Sequence, residues 1–190
     1  NNSWTFIMNV MENKQKILLL SDGSHPDVGA IKEALEKQIN YEVTVYTSGT
    51  FPDNIKGYNL VILNQLPSSS QSCRQIIEQS GKFRIPLLII IGSGTMLAQL
   101  NALGIGVEIV PMAGEFDEAQ AAMNEMFVSF TMSTELKNNL NRYPPLKVPF
   151  AQYTLSEEYR AIAFQRIRNV VTSKPLIAAG SIRGIKTGII

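Results

Sequence analysis

Apolar residues 17–20, Ile-Leu-Leu-Leu behind Lys16, form a continuous run of the kind buried on both faces of a parallel sheet. Ser21 to Asp27 then turns the chain. Val28, Ile31 and Leu35, with Ala30 and Ala34 beside them, give a helical stripe to about Gln38. Ser24, followed three residues on by Asp27, resembles a capping box with Asp in place of Glu. Tyr41 to Tyr46 alternates as a second strand, and Tyr58-Asn-Leu-Val-Ile-Leu63 is a third. Ser68 to Gln71 is expected to open a helix whose inner face is Cys73, Ile76 and Ile77. Pro86 to Ile91 is the fourth strand. Gly92-Ser93-Gly94-Thr95 turns into a helix carrying Met96, Leu97, Leu100 and Leu103, and Val107 to Val110 is a short fifth strand.

Strands and helices in alternation, with strands buried on both faces, predict an α/β domain of doubly wound type. The expected form is a mostly parallel, flavodoxin-like three-layer sandwich. The second half is less regular. Glu115 to Asn124 is polar and alanine-rich, and Met126 to Met132 has no clear period. Ser133 is placed to cap a short helix that Pro144-Pro145 ends. Tyr159 to Ile167, Pro175 to Ala179 and Lys186 to Ile190 alternate or run apolar. Gly180 and Gly184 bracket the turn between the last two, which predicts a late antiparallel hairpin.

Trp4 to Val10 reads as a strand and Glu12 to Gln15 as a polar link. Residues 1–14 are therefore expected to be a linker or a leftover strand of a preceding β-domain, and 15–190 the α/β domain. The opening Asn1-Asn2 and closing Gly188-Ile189-Ile190 read as cut ends of a longer protein.

Charge narrows the partners. Lys and Arg total 17 against 16 Asp and Glu, and the basic residues are scattered, so no concentrated face for nucleic acid is present. The longest apolar run is too short to cross a bilayer, so no direct membrane insertion is expected of this segment. One cysteine, Cys73, cannot form an intramolecular disulfide or a Cys-rich zinc site. One histidine and scattered acids offer thin support for a metal, and no Gly-x-Gly-x-x-Gly or P-loop suggests a nucleotide cofactor. No cofactor is expected.

The pattern resembles the class I glutamine amidotransferase-like superfamily from about Lys16 to Ile190. The likeness is carried by the first strand with its Ser-His-Pro-Asp loop, by Tyr58-Asn-Leu-Val-Ile-Leu-Asn64, by the strand and turn from Pro86 to Thr95, and by Pro175-Leu-Ile with Gly184-Ile-Lys-Thr-Gly188. It looks nearest to a catalytically degenerate branch within large bacterial envelope proteins. That resemblance implies a periplasmic or envelope-associated, membrane-anchored parent, with its other domains or envelope proteins as partners.

In active members a Gly-x-Cys-x-Gly elbow holds an exposed thiolate, and a late His and Glu complete the triad. Here the matching segment is Ile91-Gly-Ser-Gly-Thr95, without cysteine. The single histidine, His25, follows the first strand, and none comes later. Imidazole must take the nucleophile's proton in such a triad, so no glutaminase activity is expected. Cys73 is expected in the core.

The ligand crevice of a doubly wound sheet lies beyond the carboxyl ends of its strands. Ligand-binding candidates there are Ser24, His25, Asn64, Gln65, Gly92, Ser93, Gly94 and Thr95, for a small anion or polar metabolite. A hydrolase or transferase with Ser93 as nucleophile, His25 as base and Asp27 beside it is the alternative. The leading expectation is a non-catalytic interaction or ligand-sensing module. Exposure of Phe127 and Phe130 would favour a partner surface, and burial would make them core.

Overall fold

The computed structural model describes residues 14–47, 49 and 51–190, with the backbone alone at 113–115. The expected strand at Trp4 to Val10 lies outside these residues. The apolar runs of the first half become β1 (Gln15–Ser21), β2 (Tyr41–Thr47), β3 (Leu60–Asn64) and β4 (Leu87–Ile90). Between and after them come α1 (Pro26–Glu36), α2 (Arg74–Phe83) and α3 (Leu97–Ala102). The second half supplies β5 (Val107–Met123), α4 (Thr134–Leu140), β6 (Leu146–Leu155), β7 (Arg160–Ile167), β8 (Val170–Ile182) and β9 (Ile185–Ile189).

All nine strands join one sheet in the order β2-β1-β3-β4-β9-β8-β7-β5-β6. The chain is α/β, but the sheet is mixed rather than mostly parallel. Four pairings are parallel and four antiparallel. The difference comes from β5 and β6. The alanine-rich stretch at 115–124 has little intrinsic preference for a strand, and tertiary context decides it. β5 runs between β6 and β7, and the small side chains of Ala119 and Ala121 pack with Val148, Ala163 and Leu176 beneath Leu140 of α4. β6 contains Pro149, which cannot donate to a ladder; β6 is an edge strand, where that is tolerated.

The parallel half is covered on both faces. Val28 of α1 packs on Ile17, Leu19, Val43 and Ile62 on one side. On the other, Ile76 of α2 and Leu100 of α3 close over Leu18, Leu20, Val61, Leu63 and Ile89. Alternate residues of β1 thus face opposite helix layers, which is why the run is apolar throughout.

The helix starts differ from their expected form. His25 rather than Ser24 caps α1, its Nδ1 accepting from the Asp27 N–H at 3.2 Å with Pro26 in the first turn. Ser68 to Gln71 does not begin α2: the Ser68 and Ser70 hydroxyls donate to the Asp22 carboxylate instead, and hold it below the usual carboxylate range. Cys73 stands at the cap of α2 in a left-handed conformation, φ 57°, and its side chain is buried. Ser133 caps α4 as expected, accepting from the Leu136 N–H. The late hairpin forms as expected too. Its turn is Arg183-Gly184, both with positive φ as a two-residue hairpin needs, while Gly180 lies within β8 opposite Thr187.

Candidate functional site

The carboxyl ends of β1, β3, β4 and β9 point to one rim, because these strands run parallel. Each of the first three is followed there by a side chain or loop with polar groups: His25 after β1, Gln65 after β3, and Gly92-Ser93 after β4. His25, Asp27, Gln65, Gly92 and Ser93 line one cavity of about 450 Å³, a size that suits a small-molecule ligand. Apolar groups form much of the remainder, among them Ile31 of α1, Ile90 of β4 and Ile190.

Gln65 organises this rim. Its backbone is left-handed, φ 55°, a conformation that disfavours a side-chain-bearing residue by roughly 1–2 kcal/mol. The strained turn brings its carboxamide against the 92–94 loop. Oε1 accepts from the Gly94 N–H at 2.9 Å, and Nε2 lies 3.1 Å from His25 Nε2. The approach is so close that a Cβ on Gly92 would sit 2.7 Å from Gln65 Cδ, and one on Gly94 3.0 Å from Oε1. Both glycines are therefore explained by the Gln65 clasp. Thr95 is buried and braces the same loop, its hydroxyl accepting from the Gly92 N–H at 3.1 Å.

His25 is held from both ring nitrogens. Nδ1 lies 3.2 Å from both the Asp27 N–H and the Asp27 carboxylate, and Nε2 faces Gln65. No hydrogen bond joins Ser93 to His25 among the described residues, although both line the cavity. Ser93 is exposed. Ser24 is exposed in the turn before α1 and does not line the cavity. Asn64 is fully buried, with Nδ2 3.4 Å from Ser21 Oγ and its own Oδ1 unpartnered. Gly94 and Thr95 shape the loop from behind rather than forming cavity wall.

Cys73 belongs to another place. It lines a recess with Phe51 and Asp53 that shares no wall residue with the His25 cavity. Burial, assisted by the Asp22 charge, pushes its thiol up to about 12. Among the described residues no three His, Cys, Asp or Glu side chains group as metal ligands.

The far wall of the cavity contains Leu146, Lys147 and Val148 of β6 with Leu176 of β8. None of these stands out in the sequence. The signal is hidden because Pro144-Pro145 and Pro149 interrupt the strand pattern that would place β6 beside the rim.

No protein-family model and no curated protein matches the chain. Among solved structures it is similar to a chain of PurLQS from Thermotoga maritima, with a TM-score of 0.52 and 12% identity over 92% of this chain and 85% of that one. It is also similar to a GMP synthase subunit from Thermoplasma acidophilum, at a TM-score of 0.48 and 14% identity over 92% and 82% of the two chains. A ThuA-like protein from Bacteroides uniformis gives 0.49 and 11% over 98% and 85%. The likeness to the Thermotoga chain is one of fold.

Proposed function

We propose that this chain is a non-catalytic amidotransferase-like domain that serves as an interaction or ligand-sensing module of a larger envelope-associated protein. The reading takes its parallel half as the doubly wound core of that fold, from the catalytically degenerate branch. The observation that carries the proposal is the Gln65 clasp. The loop that presents the nucleophile in active members has no cysteine here, and Gln65 already occupies its Gly94 N–H. A domain kept for binding needs only the crevice, which is wide and mixed in polarity. The envelope setting follows the resemblance, and a full-length parent without a membrane segment would sink it.

The interaction half of the proposal draws support from the segment after β5. Phe127 and Phe130 meet edge-on at 4.8 Å, with Phe130 exposed and Phe127 half-buried. Met126 and Val128 beside them are 85% and 89% exposed. Such an apolar group suits a partner surface.

The alternative, a hydrolase or transferase using Ser93 and His25, is favoured by one fact: both side chains line the same cavity. Against it, His25 Nε2 is turned to Gln65, so base action would require that contact to break.

Thermal unfolding against glutamine, nucleotides, flavins, sugars and simple anions tests ligand sensing. A specific ligand at a hundred times its Kd stabilises by roughly 2.7 kcal/mol, on the order of 5–10 °C for a domain of this size. The shift is expected to vanish in Gln65→Ala. A panel without any shift would leave protein interaction alone standing.

A further inference from the structure

The Gln65 clasp has a polarity, and its fixed point is the Gly94 N–H, a backbone donor 2.9 Å from Gln65 Oε1. With the oxygen committed there, the carboxamide NH2 faces His25 Nε2 at 3.1 Å. Both contacts stand only while Nε2 is bare and accepts. Nδ1 has a partner in either state, the Asp27 N–H when bare and the Asp27 carboxylate when protonated, each at 3.2 Å. The nitrogen on the Gln65 side therefore decides, and the neutral ring keeps its proton on Nδ1.

Protonation breaks this arrangement. An imidazolium donates from both nitrogens, so its Nε2–H would meet the Gln65 NH2 donor to donor. Turning the carboxamide over repairs that contact and moves the fault, because the NH2 then faces the Gly94 N–H. A hydrogen bond from a charged donor is roughly twice as strong as a neutral one. The oxygen therefore goes to the imidazolium, and Gly94 is released. Gly94 is exposed, so water takes its N–H and no buried donor is orphaned. The His25 side chain is 41% exposed and open to protons.

No other group near the ring gives the same response. The charged residues that line the cavity with His25 are Asp27 of α1 and Lys147 of β6. The loops after β3 and β4 bring the neutral Gln65 and Ser93 to it. Asp22, on the loop before His25, is engaged by Ser68 and Ser70. Among ordinary side chains only imidazole changes charge between about pH 5 and 8, and His25 is the single histidine of the chain.

We propose that Gln65 is a proton-operated latch: protonation of His25 turns its carboxamide over, releases the Gly94 N–H and unpins the loop that carries Ser93. The latch is closed above the imidazole titration and opens as the pH falls through it. It rests on the rim contacts alone, and holds whether the crevice takes a small molecule or a protein segment.

Nitrogen-15 NMR of the full chain between about pH 8 and pH 5, the interval of imidazole titration, tests it. At the upper end His25 Nε2 is expected to be the bare nitrogen and Nδ1 the protonated one. As the ring titrates, the Gly94 amide is expected to lose its protection against exchange, corrected for intrinsic pH dependence, with the same midpoint. Gln65→Glu supplies two acceptor oxygens, one for Gly94 and one for the imidazolium, and should retain that protection throughout. His25→Asn, which keeps a capping side chain, should remove the midpoint. A proton on Nε2 at the upper end, or Gly94 protection that is absent or ignores the His25 midpoint, would overturn the proposal. So would the same loss of protection in Gln65→Glu.

Discussion

In the native chain Cys73 is expected to react with a disulfide reagent at pH 8 about a thousandfold more slowly than in the urea-unfolded chain. Thiolate is the reacting species, so the rate follows its population. Burial raises the thiol from an ordinary 9.0 to about 12, chiefly by desolvation and then by the Asp22 charge. Three units at a pH below both values remove about a factor of a thousand in thiolate, and the burial of the side chain slows approach further. The measurement is the release of coloured thiolate in buffer and in urea. A native rate within tenfold of the unfolded one would mean that Cys73 is open to solvent, and would make it a candidate nucleophile.

Gly180→Ala is expected to destabilise the domain by about 1–3 kcal/mol, the cost of overpacking a tight site. A Cβ there would lie 2.6 Å from Tyr159 Cγ and 2.7 Å from the Glu158 carbonyl oxygen. The carbonyl is backbone and cannot rotate away. Nor can the ring, because Gly106 packs on its other part, where a Cβ would be 2.7 Å from Cε2. The Tyr159 hydroxyl meanwhile donates to the Ile105 carbonyl at 2.7 Å. Tyr159 therefore bolts the start of β5 to β8. Urea unfolding reads the effect. Gly29→Ala in α1, where a Cβ meets nothing within 4 Å, is the control and should gain up to about 0.5–1 kcal/mol from helix preference. A Gly180→Ala midpoint equal to wild type would show that Tyr159 is not held between the two glycines.

These residues also mark what could be read from sequence. The runs at 17–20 and 60–63 identify themselves as strands because helices on both faces leave no polar position in them. The late hairpin was legible from its apolar runs and Gly184, but its turn was read between Gly180 and Gly184, whereas it closes at Arg183-Gly184 and Gly180 lies within β8. β5 was not legible beyond Val110, since alanine and glutamine become strand at 119–122 only when β7 pairs with them. The part of the cavity wall that β6 supplies, Leu146 to Val148, was not legible either. The rim fared better. His25, Gln65, Gly92 and Ser93 follow from the rule that crevices open at strand carboxyl ends, but the Gln65 clasp does not. It depends on a left-handed residue whose side chain spans 29 positions to Gly94, and no local pattern announces such a contact.

The central claim, a binding domain without turnover, is tested most directly by ammonia release from L-glutamine and by hydrolysis of p-nitrophenyl acetate. The wild-type chain is measured beside Ser93→Ala and Cys73→Ser. All three are expected to match the buffer blank for ammonia and to share one slow, indistinguishable rate on the ester. Turnover that the wild type sustains and either variant loses would contradict the account, and would name the nucleophile.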